Sequence, residues 1–129
     1  MHQGIDSALD DLAKVVVDAA FKVHKTLGPG LLESAYEACL GIELKRRGLP
    51  FVVQQPVRIV YEDETVESAL RLDMLVDNRL ILELKAVESL LPVHEAQLLT
   101  YLKLTGRRLG LLINFNVPLI KHGIRRLVL

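Results

Sequence analysis

Hydrophobic residues recur at two different intervals along this chain, and the change between the intervals falls at Gly48 and Pro50. Before this point, apolar residues recur every three or four positions, which is the period of an amphipathic helix. From Phe51 onward the period becomes two, as in a strand with one buried face. A chain that changes period in this way is restricted to folds that combine helices with a sheet.

The helical part divides into two predicted helices. The first begins near Ile5 and ends at the Gly-Pro-Gly of residues 28–30, because glycine tolerates left-handed angles and proline donates no backbone hydrogen bond. The second helix is predicted over 31–47, where Gly48 ends it.

The rest of the chain predicts strands with one further helix between them. Strands are predicted over 51–61, 66–76, 80–87 and 109–115, with a short one over 125–129, and the third helix over 93–104 with Pro92 at its first position. The order is α-α-β-β-β-α-β. It predicts an α/β fold in which helices flank a mixed sheet, formed as a single domain over 1–129.

Composition excludes several classes of protein. The single cysteine, Cys39, excludes an internal disulfide framework and a cysteine-based zinc cage. No apolar run approaches the roughly 20 residues that a membrane span needs, and no basic-then-apolar leader opens the sequence. We therefore expect a soluble cytoplasmic protein that does not enter membranes.

Charge is balanced in total but not in position. Sixteen acidic residues face sixteen lysines and arginines, and every acidic residue lies at or before Glu95, together with ten of the bases. The remaining stretch carries six bases and no acid. This asymmetry suits a polyanion-binding flank beside an acidic centre, or a set of solubilising charges on exposed faces.

The second hairpin holds the most informative residues. A turn centred on Asn78 pairs Val76 with Leu80 and places Asp73 directly opposite Glu83. Alternation then predicts one wholly apolar face, formed by Leu70, Leu72, Met74, Val76, Leu80, Leu82 and Leu84. The opposite face carries Arg71, Asp73, Leu75, Ile81, Glu83 and Lys85.

Two carboxylates about 4.5–5.5 Å apart at their Cβ atoms repel each other. A shared Mg²⁺ or Mn²⁺ would relieve this repulsion, since these ions bind one or two carboxylates and keep several waters. Neutralisation by Arg71 or Lys85 would relieve it equally well, without any catalytic purpose. The pattern alone leaves both interpretations open.

Three motifs resemble those of a known family. Asp73, followed nine residues later by the Glu-Leu-Lys of 83–85, resembles the Asp…Glu-x-Lys core of the PD-(D/E)XK nuclease superfamily, with Leu72 in place of the proline. Residues 30–36, GLLESAY, match the pattern that names the GxxExxY proteins, a branch assigned to that superfamily. Residues 97–101, QLLTY, are similar to the Gln-x-x-x-Tyr element of RecB-like exonucleases. The motifs occur in family order.

This resemblance implies a restriction-endonuclease-like core and a role for each matching residue. Asp73 and Glu83 would bind Mg²⁺ or Mn²⁺, helped by the carbonyl of Leu84, and Lys85 would orient or help deprotonate the attacking water. Glu33 would extend the acidic shell as a direct or water-mediated ligand.

The expected substrate contacts come from both halves of the chain. They are Gln97, Tyr101, Tyr36, Arg107 and Arg108, where Tyr36 can alternatively be a core residue with a hydrogen-bonded hydroxyl. Phosphate contacts are expected from the basic C-terminal third.

The first functional hypothesis is a metal-dependent nuclease acting on DNA or RNA. The second is a non-catalytic nucleic-acid-binding or assembly module that keeps the nuclease fold. The third is a partner protein, such as a homodimer, in which the acids only form an ion-pair network.

Overall fold

The computed structural model describes residues 4–129, apart from the side chains of Ser68 and Ala69. Its elements are α1 Ser7–Leu27, α2 Glu33–Arg46, β1 Phe51–Tyr61, β2 Glu64–Val76, β3 Leu80–Lys85, α3 Pro92–Thr105, β4 Leu109–Asn114, a 3₁₀ turn Ile120–Gly123 and β5 Ile124–Val128. The predicted order is confirmed, and the predicted ends differ from these by at most two residues. The 3₁₀ turn was not predicted.

Local signals at the helix ends explain this agreement. Asp6 caps α1, since its Oδ1 accepts the N–H of Leu9 at 2.7 Å, and Gly28 ends the helix at φ 69°. Pro92 opens α3, and Gly106 closes it in the left-handed conformation. Over the described residues 4–129, no helix combines the length and apolar character needed to cross a membrane.

The five strands form one sheet in the order β1-β2-β3-β4-β5. All neighbours are antiparallel except β3 and β4, which run parallel from the pair Leu80–Leu109 to the pair Lys85–Asn114. Helix α3 lies in the crossover that a parallel pair requires. The carboxyl ends of β3 and β4 therefore meet at the same edge of the sheet, and their amino ends meet at the opposite edge.

Each face of the sheet carries its own apolar core. Helices α1 and α2 pack on one face, where the sheet contributes mainly Met74, Val76, Leu80, Leu82, Leu84, Leu109, Leu111 and Ile113. Helix α3 packs on the other face, with Leu72, Leu75, Ile81 and Leu112. This mixed sheet between helices confirms the predicted α/β fold and agrees with the restriction-endonuclease-like core that the resemblance implied.

The faces predicted for Leu70 and Leu72 were wrong. Both pack with the α3 core, whereas Met74 packs with the α1–α2 core. The alternation is broken at Asp73. The residue that faces it on β1, Gln54, adopts φ 52°, and the two residues do not pair. A local irregularity of this kind changes which way the next side chain points, and no feature of the hydrophobic pattern indicated it.

Candidate active site

Asp73 and Glu83 lie where the backbone pairing of β2 with β3 stops. The pairs Val76–Leu80 and Met74–Leu82 confirm the predicted register, and Met74–Leu82 is the last of them. Beyond it, the N–H of Asp73 donates to Glu83 Oε2 at 2.9 Å. The N–H of Leu84 donates to Asp73 Oδ2 at 2.8 Å. Each carboxylate thus takes the place of a carbonyl on the facing strand, so the backbone itself fixes the position of both.

Both carboxylates are held in an environment that opposes their ionisation. Glu83 is only 4% exposed, and burial, followed by the charge of Asp73, raises its pKa to about 8. Burial also raises the pKa of Asp73, against the hydrogen bond from Leu84. Proximity of like charges and removal from water together favour a proton or a cation at this position.

One oxygen of each carboxylate remains available. Asp73 Oδ1 and Glu83 Oε1 accept no hydrogen bond from residues 4–129. Yet the described part of the chain contains no buried side-chain oxygen or nitrogen without a hydrogen-bond partner. These two oxygens therefore keep some access to solvent, and so to a ligand.

Helix α2 brings more acid to the same place. A cavity of about 340 Å³, which we call the acidic cavity, is lined by Glu33, Ser34, Glu37, Gln54, Asp73 and Leu84. Glu33 begins α2, and its negative charge contributes to the raised pKa of both Asp73 and Glu83. The structure thus places Glu33 in the same cavity as Asp73.

Glu37 and Gln54 also belong to this cavity, and the sequence analysis missed them. Burial is the largest cause of the raised pKa of Asp73, and the negative charge of Glu37 raises this pKa further. Gln54 Nε2 donates to Glu37 Oε1 at 3.0 Å. Glu37 follows Glu33 by four residues, so helical spacing could have identified it. The positive φ of Gln54 left no signal in the sequence.

Helix α3 contributes a polar pair from the opposite side. Gln97 Nε2 donates to the hydroxyl of Tyr101 at 3.2 Å, so the predicted neighbours contact each other. Tyr101 is 4% exposed. Burial, and then the charges of Glu83 and Asp73, raise the pKa of Tyr101. The hydroxyl therefore keeps its proton and lies within electrostatic reach of both acids.

Lys85 ends β3 two residues beyond Glu83, on the same side of the strand, and is half-buried. Its positive charge opposes the rise in the pKa of both Asp73 and Glu83. The cation therefore lies within electrostatic reach of both anions. The structure brings a group of polar residues to one edge of the sheet, which we call the acidic edge: Asp73, Glu83, Lys85, Glu33 and the Gln97–Tyr101 pair.

Tyr36 has no surface to offer a substrate. It is fully buried, and its ring stacks on Phe115 with centroids 4.5 Å apart. Its hydroxyl donates to Gly28 O at 2.6 Å and accepts the N–H of Leu31 at 3.2 Å. The structure therefore replaces the expected substrate contact with the core alternative, in which Tyr36 braces the loop before α2.

The structure does not bring Arg107 and Arg108 to this edge. They precede Leu109, which pairs with Leu80 at the amino ends of β3 and β4. Arg107 Nη2 donates to Asn78 Oδ1 at 2.6 Å in the hairpin turn, and Arg108 Nε donates to Leu129 O at 2.6 Å. Proximity in sequence to the other bases did not indicate which end of the sheet they occupy.

One comparison with known proteins decides the family. The family model described as the PD-(D/E)XK nuclease superfamily matches residues 10–127, which include every residue of the acidic edge. The chain belongs to this superfamily. PD-(D/E)XK nucleases generally use divalent metal ions and take nucleic acid as substrate, and the match supports a nuclease-type function. Searches of curated proteins and of solved structures give no match.

The residues of this PD-(D/E)XK chain can be tested for their fit to a metal ion. Among the described residues, no cluster of three or more His, Cys, Asp or Glu side chains is close enough to hold one. Asp73 and Glu83 nevertheless present two backbone-fixed carboxylates, each with one available oxygen. Mg²⁺ typically takes one or two carboxylates and completes its shell with water, so the donor set fits such an ion.

Proposed function

We propose that this chain is a metal-dependent nuclease that hydrolyses phosphodiester bonds in DNA or RNA. The observation that carries the proposal is the reciprocal pair of hydrogen bonds at the end of the hairpin. These bonds fix Asp73 and Glu83 side by side, with Lys85 two residues away. An arrangement that is costly to ionise and still open to a ligand is typical of a site that uses a cation.

Asp73 and Glu83 would hold the Mg²⁺ or Mn²⁺ ion, and the carbonyl of Leu84 is the third proposed donor. When bound, such an ion lowers the pKa of water and neutralises charge on the phosphate. Lys85 supplies a positive charge on the same edge, where it orients the attacking water and stabilises negative charge that develops on the phosphate.

The remaining residues would position the substrate. Tyr101 is a neutral donor at the acids, and Gln97 fixes the direction of its hydroxyl. Glu33 extends the acidic shell, acting on a ligand directly or through a water. Glu37 belongs with it, because it lines the same cavity.

We further propose that the chain belongs to the GxxExxY branch and that residues 1–129 act as one domain. The motif has a physical rationale at each named position. Gly30 adopts φ 102°, and its N–H donates to Asn116 Oδ1 at 3.1 Å. Glu33 lies in the acidic cavity, and Tyr36 braces the intervening loop through two hydrogen bonds. The family match over 10–127 supports the single domain.

The test is cleavage of labelled single- and double-stranded DNA and RNA with Mg²⁺ or Mn²⁺. We expect cleavage that chelation abolishes, and at least a hundredfold loss of rate in Asp73→Asn, Glu83→Gln and Lys85→Met. Asn and Gln keep the acceptors for the backbone N–H groups, so these variants remove charge without removing the hydrogen bonds.

Matched controls separate chemistry from general damage. Glu67→Gln removes an exposed carboxylate from the same strand as Asp73, and Lys103→Met removes an exposed lysine from α3. Both are expected to cleave like the wild type. Cleavage that persists in Glu83→Gln, or that needs no divalent ion, contradicts the proposal.

The second candidate is a nucleic-acid-binding or assembly module that retains the nuclease fold. The near-complete burial of Glu83 favours it, because a raised pKa allows a proton rather than a metal ion to neutralise the site. Calorimetry distinguishes the candidates. Binding of Mn²⁺ that disappears in Glu83→Gln supports the nuclease, and absence of binding supports the module.

A further inference from the structure

A second charged surface lies at the same end of the sheet as the acids. The C-terminal end of α1 is anchored there, where His24 Nε2 lies 2.7 Å from Val117 O, just after β4. Between the second half of α1 and the segment 118–121 runs a groove of about 1160 Å³, which we call the α1 groove. Its lining includes Phe21, Lys22, Lys25, Arg47, Leu119 and Lys121.

The groove carries a surplus of positive charge. Its single acid, Asp18, pairs with Arg47 at 2.9 Å. Lys22 lies 3.6 Å from Glu43 and remains 55% exposed at its side chain. Lys25 and Lys121 are exposed and form no hydrogen bond or ion pair with residues 4–129. In a chain with no net charge, these free cations make the groove locally positive, which attracts anions.

Apolar side chains lie among these cations. Phe21 is 42% exposed and Leu119 is 55% exposed, so both present apolar surface inside the groove. Alternating cations and an exposed aromatic ring suit a polyanion whose bases are unpaired, because an unpaired base can stack on the ring while lysines contact phosphates. The bases of a duplex already stack on each other, so they do not stack on the ring of Phe21.

The groove and the acidic cavity are joined by one short segment. Gly28 and Pro29 line the groove, and Glu33 lines the cavity. The five peptide units between Gly28 and Glu33 span at most about 18 Å when extended. About five nucleotides at the rise of a B-form strand cover that distance.

We propose that the α1 groove binds the backbone of a single nucleic-acid strand and leads it to the acidic edge. The inference rests on the proposed nuclease function and adds the substrate class and its path. It also replaces the earlier expectation for Arg107 and Arg108, because the free cations near the acids belong to α1 and the 3₁₀ turn.

The test measures binding separately from cleavage. A labelled poly-dT strand is titrated with the full chain in chelator, and its fluorescence anisotropy is followed at several salt concentrations. We expect the double variant Lys25→Gln, Lys121→Gln to bind at least tenfold more weakly at low salt. Its slope of log affinity against log salt should be less steep by about 1.4, since each single-strand phosphate contact contributes about 0.7.

Phe21 gives an independent test. Phe21→Leu should weaken binding of poly-dT at least fivefold without changing the salt slope, because stacking involves no counterion release. Phe21→Tyr should bind like the wild type. Thermal unfolding of each variant verifies the fold. Lys14→Gln, an exposed lysine in the first half of the same helix, is the matched control and should leave both affinity and slope unchanged.

Several outcomes overturn the inference. These are a double variant that binds like the wild type, equal weakening by Lys14→Gln, and a duplex bound as tightly as the strand with the same dependence on Phe21. If cleavage occurs with KM unchanged in the double variant, the strand-binding role of the groove is wrong and the proposed nuclease function stands. If groove-dependent binding occurs without cleavage, the nuclease is wrong and the strand-binding surface stands.

Discussion

Asp73 and Glu83 destabilise the fold in the absence of a cation. Each is removed from water and placed beside the other, and the backbone N–H groups that hold them compensate only in part. Their proximity could be predicted from the sequence, because the turn at Asn78 fixes which residues face each other. Their hydrogen bonds to the facing backbone could not, because alternation describes side-chain directions and not the loss of a backbone pair.

Glu83→Gln should make the metal-free protein more stable at alkaline pH. A carboxyl whose pKa rises from 4.5 to about 8 on folding costs the fold least while it is protonated, below pH 4.5, and destabilises the fold increasingly as the pH rises to 8. In chelator, the wild-type free energy of unfolding should therefore fall across this range by roughly 2–4 kcal/mol.

The variant has no such carboxyl, so its stability should change less over the same interval and exceed that of the wild type at pH 8.5. Urea unfolding at several pH values measures both curves. Parallel curves would show that Glu83 titrates normally in the folded protein. Glu67→Gln, an exposed carboxylate on β2, is the control.

Tyr101→Phe should separate positioning from stability. Among the described residues 4–129, the hydroxyl forms one hydrogen bond, which it accepts from Gln97, so the free energy of unfolding should change by less than about 1 kcal/mol. If the hydroxyl donates to substrate, kcat should fall about three- to tenfold, the effect of one hydrogen bond. Steady-state kinetics and thermal unfolding measure the two effects, and an unchanged kcat would remove Tyr101 from the site.

The ends of β3 and β4 depend on a side chain inside an apolar run. Asn114 is 1% exposed; its Oδ1 accepts the N–H groups of Val87 and Asn116, and its Nδ2 donates to Val87 O at 2.9 Å. Asn116 Oδ1 in turn accepts the N–H of Gly30, in the loop before α2. Periodicity predicted β4 from its apolar residues. It could not show that the final polar residue ties the end of β4 to the segment after β3, because Val87 is 27 positions away in the sequence.

Asn114→Ala should destabilise the protein by about 2–3 kcal/mol, because two part-buried backbone groups of Val87 lose their partners. Activity should fall as well, since Lys85 and the loop before α2 lose a common support. Urea unfolding and cleavage rates measure these effects. Gln55→Ala, an exposed amide on β1, is the control and should stay within about 0.5 kcal/mol of the wild type. A similar small change in Asn114→Ala would contradict the bracing role.

Charge is distributed between the two ends of the folded chain in a way that the sequence did not reveal. Six bases follow Glu95, which suggested one basic flank. The parallel pairing of β3 with β4 instead places Arg107 at the edge opposite the acids, while Lys121 joins α1 near them. Fold class and strand order followed from local patterns, whereas the location of each base depended on chain path.

Arg107→Gln should therefore leave single-strand affinity unchanged. Arg107 donates to Asn78 through Nε and Nη2, so the loss should appear as about 0.5–1 kcal/mol of stability. Anisotropy with poly-dT and thermal unfolding measure the two quantities. Weakening as large as that of the double variant Lys25→Gln, Lys121→Gln would mean that the nucleic acid crosses the far edge of the sheet.

The hairpin that carries both acids also bears on how the chain acquires its structure. Only nine residues separate Asp73 from Glu83, so the entropy lost in closing that loop is small. The pairing of β3 with β4 must wait for a much longer crossover. The two anions will thus meet early during refolding, while water still screens them, and their mutual repulsion will grow only as the helices close over the sheet.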